Sequence, residues 1–139
     1  MSNNKVGAAF EKRFCKLLAE NGFWVHRVSQ NVAGQQPADV IAVKDRCAFL
    51  IDCKVCCRDL FTLSRMEPNQ RSAMEQWMKC GNTIPFFALE GSDGKVFMLA
   101  YPSAVCAEED GVSTLALQPD HYSHGMTPID IWLKRYGRI

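Results

Sequence analysis

The stretch that most constrains the fold is Ala38 to Lys54, ADVIAVKDRCAFLIDCK. Two apolar runs, Val40 to Val43 and Cys47 to Ile51, are separated only by Lys44, Asp45 and Arg46, the pattern of a short hairpin between two buried strands. Asp52 and Lys54 stand two apart at the exit of the second run, so a strand puts both side chains on one face. Pairing of the runs brings Asp39, at the entrance of the first, beside them. Two carboxylates with a lysine are the parts that hold a hard divalent cation and orient a water for attack on a phosphate. The same residues equally suit strand ends paired at the surface with Lys44, Arg46 or Lys54, and other parts of the chain must decide between the two. The geometric expectation is that Asp39, Asp52 and Lys54 converge at one end of the hairpin. Asp39 on the opposite sheet face would exclude shared chemistry.

A chain of 139 residues is expected to form one domain with a substantial core. Its 47% apolar and 22% charged residues exclude a disordered or fibrous protein. The net charge of +1 selects no partner, but its distribution is uneven: residues 1–80 carry 12 Lys and Arg against 8 Asp and Glu, and residues 81–139 carry 4 against 7. The half containing the hairpin is thus the positive half, the one a polyanion would approach. Seven cysteines, an odd number, with no N-terminal apolar signal segment, point to free thiols in a reducing compartment, and the expected location is the cytoplasm, a host's cytoplasm if the source is viral. Cys53, Cys56 and Cys57 have no second pair or histidine at zinc-ribbon spacing. No apolar run is long enough to cross a bilayer, and no membrane partner is expected.

Before the hairpin, Val6, Ala9, Phe10, Phe14, Leu17 and Leu18 recur at helical spacing, predicting a helix from near Lys5 to Glu20, capped by Asn3 or Asn4 and closed by Asn21-Gly22. Glu11 borders its apolar stripe and either reaches the edge of the core, pairs with Lys12 or Arg13, or meets water. Phe23 to Val28 has strand composition, and its His26 is expected to be partly buried; Ser29 to Pro37 is a polar loop leading to Asp39. Beyond the hairpin, Val55 to Met66 has no clean period and is expected to be an irregular connection. Glu67 to Cys80 predicts a helix with Pro68 and Gln70 in its first turn, where the Gln70 amide either orients a water or phosphate oxygen or is solvated. Thr83 to Leu89 and Lys95 to Ala100 predict a second hairpin, Pro102 to Glu108 a short helix, Val112 to Leu117 a short strand, and Thr127-Pro128 the cap and first residue of a last helix. His121 and His124 lack a third ligand and are expected at the surface. The order implies an α/β fold with a central mixed sheet flanked by helices.

Glu11 in GAAFEKRF, Asp39 in QPADV, Asp52-Cys53-Lys54, and Gln70 on the following helix, in that order, resemble the PD-(D/E)xK nuclease superfamily. Within it the chain is similar to the Holliday junction resolvases, archaeal type or RecU-like, over roughly residues 5–99. The short span from Glu11 to Asp39 leaves little room for the stalk of RecU-type enzymes, and residues 112–139 match no family pattern and stand as a variable extension. The resemblance implies a restriction-endonuclease-like fold and a metal-dependent endodeoxyribonuclease that resolves four-way junctions by paired phosphodiester hydrolysis. It implies Glu11, Asp39, Asp52, Lys54 and Gln70 as catalytic residues. Glu11, Asp39, Asp52 and the Cys53 backbone carbonyl would bind Mg2+, with Mn2+ as a substitute. Branched DNA would be the partner, a homodimer the working form, and Lys5, Lys12, Arg27, Ser29, Arg58 and Arg65 the candidate DNA contacts. The competing readings are a restriction-like or repair nuclease acting on duplex, flap or single-stranded DNA, and a catalytically inactive DNA-binding protein of the same fold.

Overall fold

A computed structural model describes residues 3–28, 38–119 and 125–137, without the side chains of Asn3 and Asn4. Ser29, the loop it opens, His121 and His124 lie outside the described residues. The hairpin forms as β2 (Val40–Lys44) and β3 (Cys47–Val55), in register Val40↔Ile51 through Lys44↔Cys47. Its turn is therefore only Asp45-Arg46, both with positive φ (51° and 68°), the two-residue left-handed turn that matches strand twist.

Around this hairpin the chain builds a six-stranded sheet in the order β1-β2-β3-β5-β6-β8, with β1 (Trp24–Arg27), β5 (Phe86–Glu90), β6 (Val96–Ala100) and β8 (Met126–Pro128). The β3–β5 pair is parallel and the others antiparallel, so the sheet is mixed. Alternation along β3 sends Phe49 and Ile51 to one face and Leu50 to the other. On the first face lie α1 (Asn3–Glu20), through Phe10, Phe14 and Leu18, and α4 (Ile129–Tyr136), through Trp132. The second face is covered by α2 (Pro68–Lys79), α3 (Tyr101–Glu109) and a two-stranded sheet of β4 (Leu60–Thr62) and β7 (Thr114–Ala116). Helices thus flank a central mixed sheet, as the element order implied.

Four local expectations change. The first helix starts at Asn3, before Lys5. Val55 to Met66 is not irregular: Leu60–Thr62 is a strand and Leu63–Arg65 one turn of 3-10 helix. Three residues show no period, and β4 exists because β7, more than fifty residues on, pairs with it. Thr127-Pro128 does not open α4; both belong to β8, paired with Phe97 and Met98 at the sheet edge, and α4 begins at Ile129. Proline is tolerated there because an edge strand has one unpaired side. His26 is exposed, as is Trp24 on the same face of β1, because no described element packs over that part of the face.

Within residues 112–139, α4 contributes to the core. Trp132, 1% exposed, packs against Phe23, Phe49 and Phe86 and closes the core on the α1 side. Among the described residues no helix is long and apolar enough to cross a membrane. All seven cysteines are free.

Candidate active site

The register that pairs Val40 with Ile51 carries Asp39 opposite Asp52 at the open end of the hairpin. Asp39 is held by its backbone between two strands: its N–H donates to the Ile51 carbonyl (3.2 Å) and its carbonyl accepts from the Val28 N–H (2.8 Å). Its Oδ2 accepts a hydrogen bond from the Cys53 N–H at 2.8 Å. Cys53 is two residues beyond Ile51, so its carbonyl also points toward the β2 side, where Asp39 lies.

Asp52 is 2% exposed. Lys54 Nζ lies 3.2 Å from the buried Asp52 Oδ2 in an ion pair. Burial first, and then the charge of Asp39 within hydrogen-bonding reach, hold the Asp52 carboxyl well above the usual carboxylate range, while Lys54 pulls it down. Asp39, Asp52 and Lys54 therefore gather at one end of one face, as the period of two required.

Glu11 arrives from α1, on the other face of the sheet. Arg27 Nε donates to its Oε1 at 3.2 Å. Arg27 pairs with Val40, next to Asp39, so its bond brings Glu11 to that end of the sheet; burial and the charge of Asp39 raise the Glu11 carboxyl, opposed by Arg27. Neither Lys12 nor Arg13 is its partner here: Arg13 bonds Glu90. Among the described residues no three His, Cys, Asp or Glu side chains gather into a group that could hold a metal ion. The pair Asp39 and Asp52 is the close one, and Glu11 is turned to Arg27.

A family model described as archaeal Holliday junction resolvase (Hjc) matches residues 2–111. The chain belongs to the archaeal Holliday junction resolvase family. No curated protein matches it. Among solved structures it is similar to Archaeoglobus fulgidus Hjc, described as a Holliday junction resolvase from an archaeal hyperthermophile, with TM-score 0.57 and 17% identity over 68% of this chain and 76% of that one. At that identity the likeness bears on the fold, a restriction-endonuclease-like mixed sheet flanked by helices. The resolvase family model stops at residue 111, so β7, β8 and α4 lie beyond the matched region.

The other residues singled out in this resolvase-family chain fall in two groups. Arg58, Arg65 and Lys54 line one groove of about 660 Å³, which Gly7 and Thr62 also border. Arg65 is fixed there, donating to the Val55 carbonyl at 3.0 Å with Cys56 Sγ at 3.7 Å. Between the groove residues Arg58 and Leu60, the Asp59 carboxylate accepts from the Ser92 N–H and hydroxyl, both at 2.7 Å; those bonds lower its pKa. A Cβ at residue 91 would come within 2.6 Å of Asp59 Oδ1, so Gly91 permits this approach. Lys5 and Lys12 lie exposed on α1, and Arg27 faces Glu11 rather than the groove.

Gln70 is buried in the first turn of α2, and its Oε1 accepts the Glu67 N–H at 3.2 Å in a reciprocal cap with Glu67. Glutamate followed three residues on by glutamine was the sequence signal for that cap. The Glu11–Arg27 pair and the Asp59 clasp had none, because their partners are distant in the chain.

Proposed function

We propose that this chain is a metal-dependent, structure-selective endodeoxyribonuclease that resolves four-way DNA junctions by paired phosphodiester hydrolysis. It would act as one nuclease domain, with residues 5–99 as its core and 112–139 as an extension. The observation that carries the reading is the buried Asp52 carboxyl, set beside that of Asp39 with the Lys54 ammonium at 3.2 Å. Two carboxyls facing each other in a buried site repel when both are ionised, and a divalent cation between them removes that cost.

The donors fit Mg2+, a hard cation that keeps several waters and needs only one or two protein carboxylates. Asp39, Asp52 and the Cys53 carbonyl would hold it, with Mn2+ as a substitute and Glu11 ligating directly or through water. Bound there, the ion supplies Lewis acidity toward the scissile phosphate and acidifies a bound water. Lys54 positions the attacking oxygen and offsets negative charge developing on the phosphate. Gln70 orients the water. Lys5, Lys12, Arg27, Ser29, Arg58 and Arg65 are the candidates for holding the DNA, with Arg58 and Arg65 best placed for phosphates beside Lys54.

One such site cuts one strand, so resolution of a four-way junction takes two, supplied by a homodimer. Free thiols throughout suit the reducing cytoplasm. The test is an Mg2+ titration of cleavage on an end-labelled four-way junction beside a matched linear duplex and a flap. Symmetric paired nicks across the junction are expected. Preferential cutting of duplex or flap overturns the junction assignment, and binding without Mg2+-dependent cutting overturns the nuclease.

A further inference from the structure

Trp24 is 62% exposed on the edge strand β1, its ring stacked with that of the exposed His26 at 6.1 Å between centroids and 10° between planes. Pairing runs His26↔Ile41↔Leu50 and Trp24↔Val43↔Ala48, so both rings stand on the sheet face that carries Asp39 and Asp52. Along the strands His26 is two residues and Trp24 four residues from the Asp39–Asp52 row, about 7 and 14 Å at strand rise.

We infer that Trp24 and His26 form a stacking platform for an unpaired base of branched DNA beside the cleavage site. This rests on the nuclease reading and adds what the enzyme recognises at the branch. Every base has a π face, so parallel rings take a base of any identity once it leaves the duplex stack. A second protein copy is a poorer occupant: two rings offer at most about 500 Å², whereas a stable interface takes about 800 Å² from each partner.

The test compares wild type, Trp24→Ala, Trp24→Phe and His26→Ala by affinity for a four-way junction and for a matched linear duplex without divalent ions, across a salt series. Trp24→Ala should weaken junction binding by about five- to 150-fold, the range of one base–aromatic stack. Trp24→Phe should restore most of it, and His26→Ala should lose less than Trp24→Ala. Duplex affinity should hold, and the salt slope of junction binding should be unchanged because no phosphate contact is removed. Unchanged junction binding in Trp24→Ala, an equal loss on duplex, or a change in oligomeric state without DNA would overturn the platform. Cleavage by wild type separates the two claims: junction cutting with no effect of Trp24→Ala sinks the platform alone, and a Trp24→Ala binding defect in a protein that cuts nothing sinks the nuclease alone.

Discussion

At the turn end of the β2–β3 hairpin, Lys44 is 8% exposed; its ammonium donates to the carbonyls of Asn21 (2.9 Å) and Gly137 and lies 5.7 Å from the Phe23 ring. At the open end, Asp52 is 2% exposed, and its carboxylate meets the Lys54 ammonium at 3.2 Å and faces the Asp39 carboxyl. The two carbonyls that hold Lys44 follow the last turns of α1 and α4, where helix dipoles favour a cation. One hairpin thus buries two charges under opposite rules. The first charge ties two helices to the sheet, and the second, buried beside another carboxyl with one lysine between them and solvent, is a cost that folding alone gives no reason to keep.

Exchanging the chemistry at each end should break the comparison in different ways. The largest effect falls at the open end: Asp39→Asn or Asp52→Asn should lower junction cleavage by at least about 10³-fold while junction binding stays measurable, read by single-turnover nicking and a gel-shift titration. At the turn end, Lys44→Met strands two buried carbonyls and should destabilise the fold by about 3 kcal/mol in urea unfolding, with cleavage per folded molecule unchanged.

Asp52→Asn should do the reverse to stability, raising it by about 1 kcal/mol at neutral pH without divalent ions, because a buried charge is removed. The sign with pH follows from the raised Asp52 carboxyl. Above the unfolded value of about 4 the folded state binds the proton more tightly, so wild-type stability falls as pH rises until the folded value is passed. The Asn variant should show a smaller fall across that window in thermal melts, the remainder coming from the raised Glu11 carboxyl. The smallest effect is on the sheet face opposite Asp39 and Asp52: the Arg13–Glu90 pair at 2.7 Å has an exposed arginine, and Glu90→Gln should cost only about 0.5 kcal/mol and leave cleavage alone.

The hairpin was legible because its signals are local: alternation sets the faces, two polar residues make the turn, and a spacing of two puts Asp52 with Lys54. The helices were legible for the same reason. The strands β4 and β8 were not, since each is three residues long and exists through a partner far along the chain. Lys44 looked like turn punctuation, and nothing in its neighbourhood announces that Gly137, 93 residues on, caps it. Glu11 was placed at the core edge as one of several outcomes, and Arg27, sixteen residues away, decides how it sits. Proximity between Asp39 and Asp52 could be read from the sequence, but the burial of Asp52 could not, because burial is a property of the packed sheet.

The central claim is that the open end of this hairpin is a cation-dependent cutting centre. It is tested most directly by titrating Mg2+ against nicking of a four-way junction by wild type and Asp52→Asn at matched DNA occupancy. Wild type should cut with saturable Mg2+ dependence and the variant should stay at least about 10³-fold slower at every concentration; undiminished nicking by Asp52→Asn would contradict the account.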